Sequence, residues 1–224
     1  FRSAGVPCSV MMIETAPQTK FDAVARLGAK IVKASYDECW RTAEAHASPI
    51  MRGHFVHPFD DDDFIAGNGT AGLEILEDLP DVDVVVAALG GGGLLGGIGS
   101  AIRAKKPGVR IYAAEPETAA PMSLSLKRGE ASRFEGWQAS FVDGAGGKSV
   151  LPTMWPLLRS VVDDSIVVPL ADVASAMKRA AERMHVVAEG AGGTAIAAAL
   201  SGRDRKSTRL KSSHTDISRM PSSA

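Results

Sequence analysis

Apolar and polar positions along this chain switch repeatedly between two rhythms. Met11-Met12-Ile13, following Cys8-Ser9-Val10, is a short apolar strand; Phe21, Val24, Ala25 and Leu27 then recur at helical spacing behind start signals at Thr15 and Pro17. Gly28 closes that helix. Lys30-Ile31-Val32-Lys33 reads as the next strand, and Tyr36 to His46 as a second helix carrying Trp40. The pattern strengthens downstream. Val84 to Leu89 is an uninterrupted apolar run opening on consecutive valines, as a strand buried on both faces requires, and the segment behind it is helix-compatible as far as Ala104. Val109 to Ala114 and Asp164 to Pro169 read as further strands, Ala171 to Met184 as an amphipathic helix, and Ala195 to Leu200 as a small-residue helix able to lie close to a sheet. Strands and helices alternate, so the predicted class is α/β: open, mostly parallel twisted sheets with helices on both faces.

With 224 residues and 45% hydrophobic content, the chain can bury a sizeable core. Residues 1–54 are expected to be the remnant of a small α/β domain whose first strand and helix precede Phe1, and residues 55–203 a larger, incomplete domain. The final stretch, residues 204–224, has five Lys/Arg against two Asp, many serines and no apolar periodicity. It reads as unstructured sequence foreign to the fold, such as translated vector sequence, with a basic interaction arm as the alternative. An opening residue other than Met points to a fragment. The net charge of −1, with basic residues scattered through the body, leaves no footprint for nucleic acid. No apolar stretch is long enough to span a membrane and no secretory leader opens the chain. Cys8 and Cys39 lie far apart and outside metal-ligand spacing, which suits a reducing cytoplasm.

The chemistry is concentrated where Val84 to Leu89 meets Gly90-Gly91-Gly92-Gly93-Leu94. At a strand, a glycine turn and a helix start backbone amides can converge on an anion, because no Cβ blocks the approach and the helix end adds partial positive charge; a tight strand-to-helix turn with no ligand is the alternative. Each glycine costs backbone entropy, so a run of them implies that the loop conformation is needed. The run lacks the Gly-Lys-Ser/Thr of a nucleotide loop. A dinucleotide reading stays open only through Glu115, which follows the next strand.

Other polar features are more ambiguous. The run Asp60 to Asp63 has oxygen ligands suited to a hard cation, but Asp at a helix start also caps free amides, and that is the expected role. His57, before Pro58, is expected to be structural rather than a catalytic base. Glu115 and Glu117 are expected at the C-terminal end of a strand, where open α/β sheets bind ligands; solvated loop acids are the equal alternative. Asp143-Gly144-Ala145-Gly146-Gly147 and Glu189-Gly190-Ala191-Gly192-Gly193 are two more small-residue segments.

Taken together, HPFDD at 57–61, IAGNGT at 65–70, LGGGGL at 89–94, YAAEPE at 112–117, DG at 143–144 and AEGAGG at 188–193 resemble the serine/threonine dehydratase and serine racemase family. That family lies within the pyridoxal-phosphate enzymes of the tryptophan synthase β-subunit fold, and the resemblance covers nearly all of residues 1–203. It implies a two-domain, fold-type II architecture, truncated here at both ends. Gly90, Gly91, Gly92, Gly93 and Leu94 would supply amides around the cofactor phosphate, and Gly144 and Ala145 would sit beside the pyridine ring. In relatives that bind a divalent cation, the Glu115 position is a ligand, with the carbonyl at Ala119 and oxygens at two positions that are Pro121 and Pro152 here. Losing two oxygen ligands argues against a metal.

The resemblance also implies what this sequence lacks. The lysine that forms the Schiff base with the cofactor belongs to a Ser-Xaa-Lys-Xaa-Arg-Gly stretch expected upstream of Phe1, so no catalytic residue is assigned within the chain. Lys148 would be a poor substitute, standing where the family places a pocket loop. The implied activity is β-elimination on a small amino-acid substrate, threonine or serine, giving a 2-oxo acid and ammonia, by a homodimeric parent. Serine racemisation or non-catalytic binding of a phosphorylated ligand are the alternatives, and the fragment itself is expected to be inactive.

Overall fold

The computed structural model describes residues 1–202, and the tail expected at 204–224 lies outside the described residues. Two compact units divide the chain, Phe1–Gly67 and a second from Asn68 onward. In the first unit, β1 (Ser9–Ile13) and β2 (Lys30–Ala34) pair in parallel, in register Ser9 to Lys30, and α1 (Gln18–Arg26) provides their crossover. The helix α2 (Tyr36–Glu44) follows, capped by Ser35, whose hydroxyl accepts from Glu38 N at 3.2 Å. Next in the chain is α3 (Asp62–Asp78), so the division between units falls inside this helix rather than at residue 54. Asp61 caps its start, Oδ1 accepting from Phe64 N at 2.9 Å, which bears out capping for that member of the acidic run.

The second unit is built on a three-stranded parallel sheet in the order β3-β4-β5, formed by Val84–Ala88, Arg110–Pro116 and Asp164–Val168. Between β3 and β4 runs α4 (Gly93–Lys105). Between β4 and β5 come α5 (Pro121–Arg128) and α6 (Trp155–Val161); the first opens on Pro121, suited to N1 because it has no N–H to lose. After β5 come α7 (Leu170–Arg179) and α8 (Gly190–Leu200).

Alternation along β4 sorts its side chains to two faces. Tyr112 and Ala114 join Ile166, Val168, Val173, Ala176, Ala197 and Ala198 in one core, which α7 and α8 cover. Ile111, Ala113 and Glu115 point the other way and are all fully buried. All strands are parallel and both faces of the sheet are covered, as the apolar runs implied.

Two expected boundaries are corrected. The helix expected over residues 171–184 stops as an α-helix at Arg179, widens into a π turn over Ala180–Met184, and ends at His185 in the left-handed region with φ 55°. The helix expected from Ala195 already begins at Gly190, inside the glycine-rich motif.

Candidate functional site

The glycine run sits at the C-terminal end of β3. Leu89 N still donates to Ala114 O at 3.0 Å, extending the ladder one residue past the strand, and the chain then leaves the sheet. Gly92 takes φ 100° as the N-cap of α4, a conformation a side chain rarely adopts, and a Cβ there would lie 2.7 Å from Leu158 Cδ1. The bond from Gly96 N to Gly92 O, at 2.7 Å, closes the first turn. Ahead of it the amides of Gly93, Leu94 and Leu95 belong to the helix end, which has no acidic residue in its first turn and no side-chain cap. Gly93 and Leu95 are buried while the Leu94 side chain is exposed, and the N-cap, Gly92, has no side chain with which to accept from these amides.

Two other small-residue segments converge on it. A Cβ at Gly90 would lie 2.6 Å from the carbonyl oxygen of Gly144, so these backbones approach as closely as glycine allows. Gly144 in turn lies against Ala191 and the Glu189 carboxylate, at the start of α8. The residues read from sequence as Gly90 to Leu94, Gly144 and Ala145 are therefore brought together, with Ala145 fully buried in the core beneath the loop. Sequence reasoning missed the group that steadies this loop. Trp137 donates from its indole N–H to Gly146 O at 2.8 Å, and Lys148 Nζ stands 4.5 Å from the centre of the Trp137 ring. A lone tryptophan between glycine-rich segments was the available signal.

The carboxylates of β4 have roles of a different kind. The strand runs on through Pro116, so Glu115 is part of it and fully buried, which removes the alternative of a solvated loop acid for this residue. Its Oε1 accepts from Met122 N at 2.7 Å, and its Oε2 accepts from Ser123 N at 2.8 Å and Ser165 Oγ at 2.6 Å. Burial pushes its pKa above the ordinary carboxylate range, while the three donors act in the opposite sense. Ala119 is buried, with its N–H bonded to Pro116 O at 2.9 Å; Pro121 is buried and Pro152 exposed. Glu117, on the surface, accepts from Leu170 N at 3.0 Å, at the first residue of α7.

In the first unit, His57 is completely buried, and its Nδ1 accepts from Phe59 N at 3.1 Å and Asp60 N at 2.7 Å. His46, His57 and Asp60 bring one potential ligand atom each within 4.8 Å of one another. The cluster does not suit a metal. With Nδ1 accepting from two amides, the proton of neutral His57 sits on Nε2, which then offers no lone pair. His46 Nε2 and Asp60 Oδ2 are engaged with each other at 3.2 Å. Burial, then the neighbouring His46, hold the pKa of His57 below its ordinary value, opposed by Asp60, Asp61 and the Ala43 backbone. As expected, His57 has a structural role.

The description "Pyridoxal-phosphate dependent enzyme" matches residues 2–216, nearly the whole chain. This chain belongs to that family. Among curated members, L-threonine ammonia-lyase of Thermotoga maritima is 38% identical over 208 residues, covering 92% of this chain and 51% of its own length. Serine racemase of Homo sapiens is 35% identical over 198 residues, covering 88% of this chain and 58% of the relative. Among solved structures, maize serine racemase superposes with a TM-score of 0.81 at 30% identity, over 92% of this chain and 63% of that one. A threonine deaminase of T.th. gives 0.76 at 30% identity, over 91% and 66%. The chain thus spans about half to three-fifths of the curated relatives described. The fold-type II pyridoxal-phosphate enzyme architecture expected from the motifs is the one these likenesses show.

Proposed function

We propose that this chain is the phosphate-cradling portion of a pyridoxal-phosphate-dependent ammonia-lyase that converts threonine or serine to a 2-oxo acid and ammonia. The observation that carries the reading is the start of α4, where glycine conformation and an uncapped helix end leave several amides for one anion. The 38% identity to an L-threonine ammonia-lyase supports the reaction class. In this reading the amides of Gly90, Gly91, Gly92, Gly93 and Leu94 hold the phosphate, and Gly144 and Ala145 flank the ring. When bound, pyridoxal phosphate supplies an electron sink that makes the substrate Cα–H acidic and lets the β-hydroxyl depart. The residues of this chain bind and orient. Fixed backbone dipoles keep a phosphate dianion in one geometry without reorganising. The loop 143–147, pinned by Trp137, limits where a ring can lie.

Racemisation of serine is the second reading, favoured by the likeness to maize serine racemase. The parent is proposed to be a cytoplasmic homodimer. Cys8 and Cys39 are both free, which agrees with a reducing compartment, and among the described residues no helix is long and apolar enough to cross a membrane.

The 224 residues hold no Ser-Xaa-Lys-Xaa-Arg-Gly stretch, so the chain alone is proposed to bind the cofactor without turnover. Titration of the purified chain with pyridoxal phosphate, with inorganic phosphate as competitor, tests the cradle, and ammonia release from threonine and serine tests the inactivity. Saturable binding that phosphate displaces, with no ammonia, is the expected result. No binding of either compound would overturn the cradle; ammonia above a heat-inactivated control would overturn the inactivity.

A further inference from the structure

The carboxylate of Glu115 raises a separate question, because in cation-binding relatives the resemblance makes this position a metal ligand. A hard divalent cation needs six or more oxygen ligands held around one point. A carboxylate offers about four lone-pair sites. Here one on Oε1 and two on Oε2 already receive hydrogens, from Met122 N, Ser123 N and Ser165 Oγ, at 2.6–2.8 Å. Pro121 O, at the start of α5, likewise accepts a hydrogen, from Ser125 Oγ at 2.7 Å. Between β4 and α5 the side-chain oxygens are those of Glu117, on the surface and accepting from Leu170 N at 3.0 Å, and of Thr118, whose Oγ1 donates to Ser140 Oγ at 3.4 Å; Ala119, Ala120 and Pro121 have none. A cation entering here would meet N–H hydrogens pointing at the same carboxylate, and the residues present do not fit one.

The oxygens of Glu115 are instead satisfied from within the fold. Met122 and Ser123 lie in the first turn of α5, where amides lack intrahelical partners and the helix dipole is positive. Ser165 reaches across from β5. We propose that in this protein the N-terminus of α5, together with Ser165, takes the place of the divalent cation at Glu115, closing that site to metal. Glu115 becomes a clasp that joins β4, β5 and α5. The inference is independent of cofactor binding.

Urea unfolding of the full chain, followed by circular dichroism, tests it in EDTA and in millimolar MgCl2 or CaCl2, for the wild type, Ser165→Ala and Glu115→Gln. Ser165→Ala removes one donor from a buried carboxyl acceptor and is expected to lower the midpoint by roughly 1 M. Glu115→Gln turns an N–H2 toward amides that are themselves donors and should lower it further. Neither cation should restore the Ser165→Ala midpoint or raise the wild-type midpoint in a manner that depends on Glu115. Should Glu115→Gln fail to fold, Ser165→Ala still decides the matter. Restoration of its midpoint by Mg2+ or Ca2+ would overturn the proposal, because the freed lone pair would then be a usable metal ligand.

Discussion

Three helices begin beyond the C-terminal ends of β3, β4 and β5, and they dispose of their first amides in opposite ways. At α5 the donors are spent on Glu115, inside the core. At α7 the first amide is spent on Glu117, at the surface. At α4 there is no acidic residue in the first turn and no side-chain cap, and glycines keep the approach clear. All three ends carry the same kind of backbone dipole. In the proposed reading, what marks α4 as the place for a phosphate is that no side chain caps its start. An electropositive helix end is common; one without a side-chain cap beside two converging loops is what the proposed phosphate site would use.

The sharpest way to break this contrast is to close the gap at α4. Gly90→Ala would place a Cβ 2.6 Å from the Gly144 carbonyl oxygen, a backbone atom that cannot move without its loop. Overpacking of this kind costs about 2 kcal/mol, and displacement of the amides should weaken pyridoxal phosphate binding by about tenfold or more. Gly108→Ala is the control, because a Cβ there meets nothing within 4 Å. Paired urea unfolding and cofactor titration measure both effects. Unchanged affinity in Gly90→Ala would mean that the close approach of the two loops has no part in anion binding.

A second prediction concerns an acceptor that protons can switch off. Ahead of α3, two backbone donors end on the Nδ1 of His57 rather than on a carboxylate. Its pKa is lowered in the folded state, so below the ordinary value of about 6.5 the unfolded chain binds more protons than the folded one. Stability therefore rises with pH toward that value and falls as acid is added below it, by up to about 1.4 kcal/mol per pH unit for this one group. The groups bearing on the ring are His46, which opposes its protonation, and Asp60 and Asp61, which favour it. His57→Asn keeps an acceptor near the Nδ1 position without titrating. Unfolding midpoints between pH 5 and 7 should lose part of their slope in that variant, even though its overall stability falls with the lost ring. An undiminished slope would assign the acid sensitivity to other groups.

Much of this arrangement was legible in the sequence, for definite reasons. The apolar runs of β3, β4 and β5 and the four glycines after Leu89 are strong local signals, and the parallel sheet and the loop at its end followed from them. What stayed hidden depends on distance along the chain or on backbone detail. Glu115 looked like an acid just past a strand. Two more residues of β4 put it on the face shared by Ile111 and Ala113, and α5 then supplies its donors. The helix α5 itself is short and starts without a side-chain cap, so periodicity alone could not announce it. In α8 the glycines of low helix propensity masked a start at Gly190. The π turn at Ala180–Met184 preserves the polarity of the preceding helix, and no hydrophobic pattern separates the two.

The smallest predicted effect asks whether side-chain charge adds to the backbone at the open end. Lys148 is the cation beside the 143–147 loop, half-buried, with Nζ 4.5 Å from the Trp137 ring centre. If amides alone recognise the phosphate, the role of Lys148 is to hold Trp137, which holds Gly146. Lys148→Met keeps the aliphatic stem and removes the charge. It should then cost about 0.5–1 kcal/mol of stability through the lost cation–π contact, and change phosphate-competed cofactor affinity by less than about threefold. A loss as large as that expected for Gly90→Ala, disappearing at high salt, would show Lys148 acting on the anion directly. The contrast between α4 and its neighbours would then rest on an imported charge as well as on amides without a side-chain cap.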